Sequence, residues 1–163
     1  YKRQGQDAAA ADRDALMASM RPRPGVRELV AAAKAAGVAL AAASSSPEYW
    51  VSDRLAEAGL LESFDVIRCR EHVERTKPDP ALFRSAIDAL GVVAETAIAI
   101  EDSPNGVTSA VGAGLFTVAV PGPMTLGMDF SHAHAHVESL AEIPYERLVA
   151  KAEAARPWPA RAV

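Results

Sequence analysis

Apolar positions along this chain fall into short unbroken runs, separated by alanine-rich stretches that end in glycine. The junction recurs in "AAAKAAGVALAAAS" at Gly37, "DRLAEAGLLESFDVI" at Gly59, "FRSAIDALGVVAETAIAI" at Gly91 and "SAVGAGLFTVAV" at Gly114. Glycine just past a helix accepts the left-handed conformation that closes it, so each junction predicts a helix stop and then a strand. The strands fall at 38–43, 66–69, 97–100 and 117–120. Their runs are continuous rather than alternating, the pattern of parallel strands covered on both faces. Helices are predicted over 24–36, 47–58, 80–90 and 104–113. Three of them start at a polar residue and a proline: Ser46-Pro47, Asp79-Pro80 and Ser103-Pro104. Proline suits a first turn, because the N–H it lacks would go unpaired there. One more helix is predicted over 7–20, and residues 151–163 read as a flexible tail. The expected fold is α/β with a mostly parallel sheet.

Composition bounds the picture without changing it. A chain of 163 residues is long enough for one domain with a sizeable core. The net charge of −4 and the lack of a basic face stand against nucleic acid as a partner. No apolar run reaches the roughly 20 residues that span a bilayer, so no membrane partner is expected. Nothing at the start has the order of a signal peptide. Cys69 is the one cysteine, which rules out an internal disulfide and suits a reducing cytoplasm.

The chemistry gathers where ligands sit in an open parallel sheet, outside the carboxyl ends of the strands. Ser44, Ser45 and Ser46 follow the first predicted strand. A hydroxyl there, followed by the free N–H groups of a helix start, makes an anion site. The plainer role, N-cap of the next helix, is preferred for Ser46, and the phosphate role for Ser44. Lys77 stands in "KPDP", where the next proline restrains the chain and aims a point charge; a solvated surface lysine is the equal alternative. Glu101 and Asp102 close the third strand in "AIAIEDSPNGV". Adjacent carboxylates at the end of a buried strand repel and are costly to desolvate, and Mg²⁺ with water and phosphate oxygens resolves both problems. Asp102 or Ser103 could also simply cap the following helix.

"AAASSS", "KPDP" and "AIAIEDSPNGVTSAVGAG" resemble, in order and approximate spacing, motifs two to four of the haloacid dehalogenase-like superfamily. The chain is similar to its β-phosphoglucomutase-like branch of phosphatases and phosphomutases over about residues 20–140. The resemblance implies a Rossmann-like three-layer core over 21–150, with residues 1–20 as the last helix of an α-helical cap. It implies that Ser44 and the Ser45 backbone hold the transferring phosphoryl group, and that Lys77 neutralises its charge. Glu101 and Asp102 would bind Mg²⁺, while Ser103 and Asn105 shape the loop and Asn105 reaches the substrate. The implied function is Mg²⁺-dependent phosphoryl transfer on a small phosphorylated metabolite such as a sugar phosphate.

The family's first motif, a strand ending Asp-x-Asp-Gly-Thr, has no counterpart here. Asp12-Arg13-Asp14 lacks the Gly-Thr and the strand, and reads as a solvated helix face. The resemblance therefore places the nucleophilic aspartate of an aspartyl-phosphate mechanism outside this chain. That motif's strand normally lies centrally, between the strands ending at Ser44 and Glu101, and would be supplied by a preceding segment or a separate piece. The alternatives are a non-catalytic binding domain of the same fold, or a dehalogenase that needs no metal. "SHAHAHV" puts His132, His134 and His136 at strand period, where a metal site competes with a plain final strand, the preferred reading. "REHVER" reads as a solvated turn.

Overall fold

The structure, a computed structural model, describes residues 21–156. The helix expected over 7–20, the cap assignment for 1–20, Asp12-Arg13-Asp14 and residues 157–163 lie outside the described residues.

Among the described residues five helices and five strands follow one another, alternating as far as the fourth strand. Helix α1 (Val26–Ala35) leads to β1 (Ala41–Ala43), and α2 (Glu48–Glu57) to β2 (Val66–Arg68). Helix α3 (Ala81–Leu90) leads to β3 (Ile98–Glu101), and α4 (Pro104–Gly112) to β4 (Phe116–Ala119). A short β5 (Ala135–His136) and α5 (Tyr145–Ala154) complete it. The glycines at all four junctions adopt the positive φ expected of helix stops. Every strand pair is parallel, but the strands form two sheets: β1–β2, and β3–β4–β5.

The helices lie on both faces, as an α/β layer structure requires. Alternate strand residues feed the two sides. Ile98, Phe116, Val118 and Val120 pack with Leu29 of α1 and with Leu148 and Ala152 of α5. Ala99 packs with Phe83 of α3 and Ala110 of α4, and Ala43 of β1 joins that cluster. Burying side chains such as Phe116 or Val118 stabilises the fold by about 1.5–3 kcal/mol each.

Several local expectations are corrected. The first strand shortens to Ala41–Ala43, because the Asp65 carboxylate takes the Leu40 N–H that a longer ladder would need. Ser46 does not cap α2; Glu71 accepts the Glu48 N–H instead at 3.2 Å. "REHVER" is accordingly not only solvated: it holds a 3₁₀ turn (Arg70–His72) that supplies this cap. Helix α5 runs through the boundary expected at 150, with Leu148 and Ala152 buried one turn apart, so Ala152 belongs to the core. Ser103 caps α4 as expected, its Oγ accepting the Gly106 N–H at 3.1 Å. Asp79 does the same for α3, accepting the Ala81 N–H at 3.0 Å.

Candidate active site

Among the described residues β1 and β3 each pair on one side only, and their carboxyl ends meet at one cleft of about 350 Å³. Ala43, Ser44, Lys77, Ile100, Glu101 and Asp102 line it, with Arg23 and Val120. The three groups singled out in the sequence therefore converge, through the first serine, the lysine and the acid pair. A larger, shallower depression of about 620 Å³ on the outer side of β2, between Arg68 and Arg84, shares no residue with this cleft.

Ser44 is half-buried, and its Oγ accepts the Ser46 N–H at 3.1 Å. Accepting leaves the hydroxyl proton free to donate into the cleft. Ser45 and Asn105 are exposed, and Ser46 is half-buried. None of these three lines the cleft.

Lys77 is carried on the turn before α3. Its ammonium lies 4.8 Å from the centre of the Phe83 ring and forms an ion pair with Glu101. The two acids are unequal. Glu101 is only 7% exposed, and burial pushes its carboxyl up while the Lys77 ammonium pulls it down. Gly106 makes room for it: a Cβ there would stand 1.8 Å from Glu101 Oε2. Asp102 is exposed at the cleft.

Among the described residues no group of three or more His, Cys, Asp or Glu gathers as a metal site. The donor set still suits part of a Mg²⁺ shell, since that ion takes one or two carboxylates and fills the rest with water and phosphate oxygens. Asp102 is the carboxylate left open to such an ion, and Glu101 is already balanced by Lys77.

The histidines do not converge. His132 Nε2 sits 3.1 Å from Thr108 Oγ1 and 3.3 Å from the Pro104 carbonyl. His134 Nδ1 accepts the Thr117 N–H at 3.0 Å, and His136 stacks on Phe130. These contacts fasten the segment to the core.

Three residues around the site were not singled out from the sequence, although the segment 121–128 that carries one of them reads as a loop near the active edge. Arg23 donates to the Val120 and Pro121 carbonyls at 2.6 and 2.7 Å. Gly106 seats Glu101, and Thr125 donates to the Asp102 carbonyl at 2.6 Å. Only the folded chain brings them together, although the glycine three residues after "EDS" was a readable hint.

A sequence profile described as haloacid dehalogenase-like hydrolase matches residues 7–120. The chain belongs to the haloacid dehalogenase-like hydrolase family. Within it, YhcW of Bacillus subtilis (strain 168) is 40% identical over 127 residues, 78% of this chain and 58% of that protein. Hexitol phosphatase B of Escherichia coli O157:H7 is 33% identical over 127 residues, 77% of this chain and 57% of that protein. The crystal structure of a mutant CbbY from Rhodobacter sphaeroides in complex with xylulose-(1,5)bisphosphate superposes with a TM-score of 0.75. It is 39% identical and covers 79% of this chain and 60% of that one. The chain thus spans somewhat over half the length of these three relatives. The family's Rossmann-like α/β core is the fold observed. No helix among the described residues is long and apolar enough to cross a membrane.

Proposed function

We propose that this chain forms the phosphate- and metal-binding part of a Mg²⁺-dependent phosphoryl-transfer enzyme, a phosphatase or phosphomutase. Its substrate is a small phosphorylated metabolite such as a sugar phosphate. The observation that carries the proposal is the cleft in which Ser44, Lys77, Glu101 and Asp102 meet at the carboxyl ends of two parallel strands. Hexitol phosphatase B and the xylulose bisphosphate complex of CbbY support the substrate class.

In this reading the Ser44 hydroxyl donates to a phosphoryl oxygen, and the Ser45 backbone lies beside it. Lys77 offsets negative charge on that group and opposes the rise that burial imposes on the Glu101 carboxyl. Asp102, with Glu101 behind it, holds Mg²⁺, which when bound neutralises phosphoryl charge. Ser46 and Asn105 contribute through the loops they stand on, with Asn105 toward the substrate. The nucleophilic aspartate lies on polypeptide outside these residues. We place its strand between β1 and β3, as a segment continuous with this chain or as a separate piece. Two one-sided strands and an exposed Ile100 support that place. The cytoplasm, where phosphorylated metabolites and free thiols coexist, is the compartment this reading fits.

The test is phosphate release by the intact protein from a panel of sugar phosphates, with and without Mg²⁺. Release that depends on Mg²⁺ and is abolished by Asp102→Ala is expected. Release that persists in that variant, or survives chelation, overturns the assignment. Binding of phosphorylated compounds without any turnover points to a non-catalytic domain.

A further inference from the structure

The loop after β4, residues 121–128, carries the most exposed apolar side chains of the carboxyl edge. Met124 is 92% exposed and Leu126 79%. Apolar burial therefore does not hold this loop in place; polar contacts do. Arg23 fixes its base through the Val120 and Pro121 carbonyls. The Gly122 N–H donates to Thr125 Oγ1 at 2.9 Å, and the Leu126 N–H donates to the Gly122 carbonyl at 2.9 Å. That turn aims the Thr125 hydroxyl at its partner across the cleft rim, the Asp102 carbonyl, 2.6 Å away.

The neighbouring carbonyl is fixed as well, because Glu101 O accepts the Val120 N–H at 2.7 Å. The backbone of both acids is thus pinned to the β4 side of the site, Glu101 by the sheet ladder and Asp102 by one side chain. Among the described residues no donor holds the Asp102 carboxylate itself. Its place at the cleft therefore depends on where its backbone is held.

We propose that Thr125 is a positioning residue for Asp102: its hydroxyl clamps the Asp102 carbonyl and so orients the neighbouring carboxylate for a divalent cation. This rests on Asp102 being a cation ligand, as proposed above. Partners one step removed from a metal are worth about 10–100-fold in its affinity, and the indirect clamp here acts at the lower end of that range.

The experiment measures Mg²⁺ binding to the intact protein by calorimetry, without substrate, alongside thermal unfolding without metal. Thr125→Val keeps the shape and removes the hydroxyl. It is expected to weaken Mg²⁺ about tenfold while leaving the metal-free unfolding midpoint little changed. Thr125→Ser is expected to restore the affinity, and Leu126→Ser, on the same loop, to leave it unaltered. Thr125→Ala gives the same reading if the valine variant does not fold. Wild-type affinity in the hydroxyl-free variants overturns the proposal, and so does equal weakening by Leu126→Ser, which marks a general loop defect. Asp102→Ala separates the two layers. If it leaves Mg²⁺ binding intact, the ligand assignment falls and the clamp with it. If it abolishes binding while Thr125→Val does not, the clamp alone falls.

Discussion

The three-stranded and two-stranded halves of this molecule differ in how completely they enclose their strands. Every residue of β4 is buried, whereas β1 and β2 are half-buried at all three positions of each. Both halves are parallel, and the small side chains of β1 and the Arg68 end of β2 account for only part of the contrast. Neighbours account for the rest: β4 has a strand on each side and helices on both faces, while β1 has β2 alone. The cleft opens where β1 and β3 lack a second partner, and the candidate site straddles it. Ser44 comes from the open half and the acids from the closed one. The Lys77–Glu101 ion pair is a tie across the boundary, since Lys77 stands on the turn leading into α3, which packs on β1 and β2.

That tie gives the largest expected effect. Lys77→Met strands a carboxylate that is 7% exposed, and breaking a buried pair by removing one partner costs about 3–5 kcal/mol. The loss should depend on pH. Burial already raises the Glu101 carboxyl above its ordinary 4.5, and the lysine is what opposes the rise. Without Lys77 the native state keeps a proton that the unfolded chain releases above that value. Stability then falls as pH climbs from 4.5 toward the new native value. Denaturant unfolding of the variant at acid and neutral pH checks this, and an equal loss at both would show that Glu101 is not the stranded group.

Next is Gly106→Ala, which tests the closed half alone. In an ordinary helix the change to alanine gains up to about 1 kcal/mol. Here the new methyl would overlap the Glu101 carboxyl group, at 1.8 Å from Oε2 and 2.2 Å from Cδ. The carboxylate is held by Lys77 and cannot swing away cheaply. A loss of about 1–3 kcal/mol is expected, together with weaker Mg²⁺ binding. A stabilised variant would mean that Glu101 is more mobile than its ion pair suggests.

Ile100→Ser then asks whether the open boundary stays open. Ile100 is 39% exposed on the one-sided strand β3. In the 163-residue chain by itself the substitution should lie within about 0.5 kcal/mol of neutral. If the proposed strand is seated beside β3, a protein that carries it covers this side chain, and the cost rises to about 1.5–3 kcal/mol. Equal small effects in both would remove the support for a strand at that place.

The same contrast marks what was legible in the sequence. Strand runs, glycine stops and the caps at Asp79 and Ser103 depend on residues close in sequence, and they stand within a residue or two of their expected positions for most elements. The grouping of Ser44, Lys77, Glu101 and Asp102 was also legible, because parallel strands bring their carboxyl ends to one edge. What escaped depends on long-range contacts. Glu71 rather than Ser46 caps α2 from 23 residues away, Arg23 reaches Val120, and Thr125 reaches Asp102. Helix α5 escaped altogether: no helix is predicted past residue 113 and the tail is expected to begin at 151, although Leu148 and Ala152 stand at helical spacing.

The smallest effect belongs to the open half and shows what holds it without a second neighbour. Asp65, just before β2, accepts the Leu40 N–H at 2.8 Å and the Lys34 ammonium at 3.0 and 3.2 Å. It joins α1, the approach to β1 and the approach to β2. The Leu40 N–H first, and Lys34 after it, lower its carboxyl below the ordinary 3.8. A lowered carboxyl contributes stability above 3.8 that is lost as pH falls through the native value. Asp65→Asn keeps an oxygen for the Leu40 N–H and removes only the charge. Both partners are exposed, so water and salt screen the pair. A small drop in Tm at neutral pH is therefore expected, shrinking with added salt and vanishing once acid has protonated Asp65 in the wild type. A large, salt-independent drop would instead mean that the Leu40 contact holds the two-stranded half together, and that this half depends on one loop bond more than on its ladder.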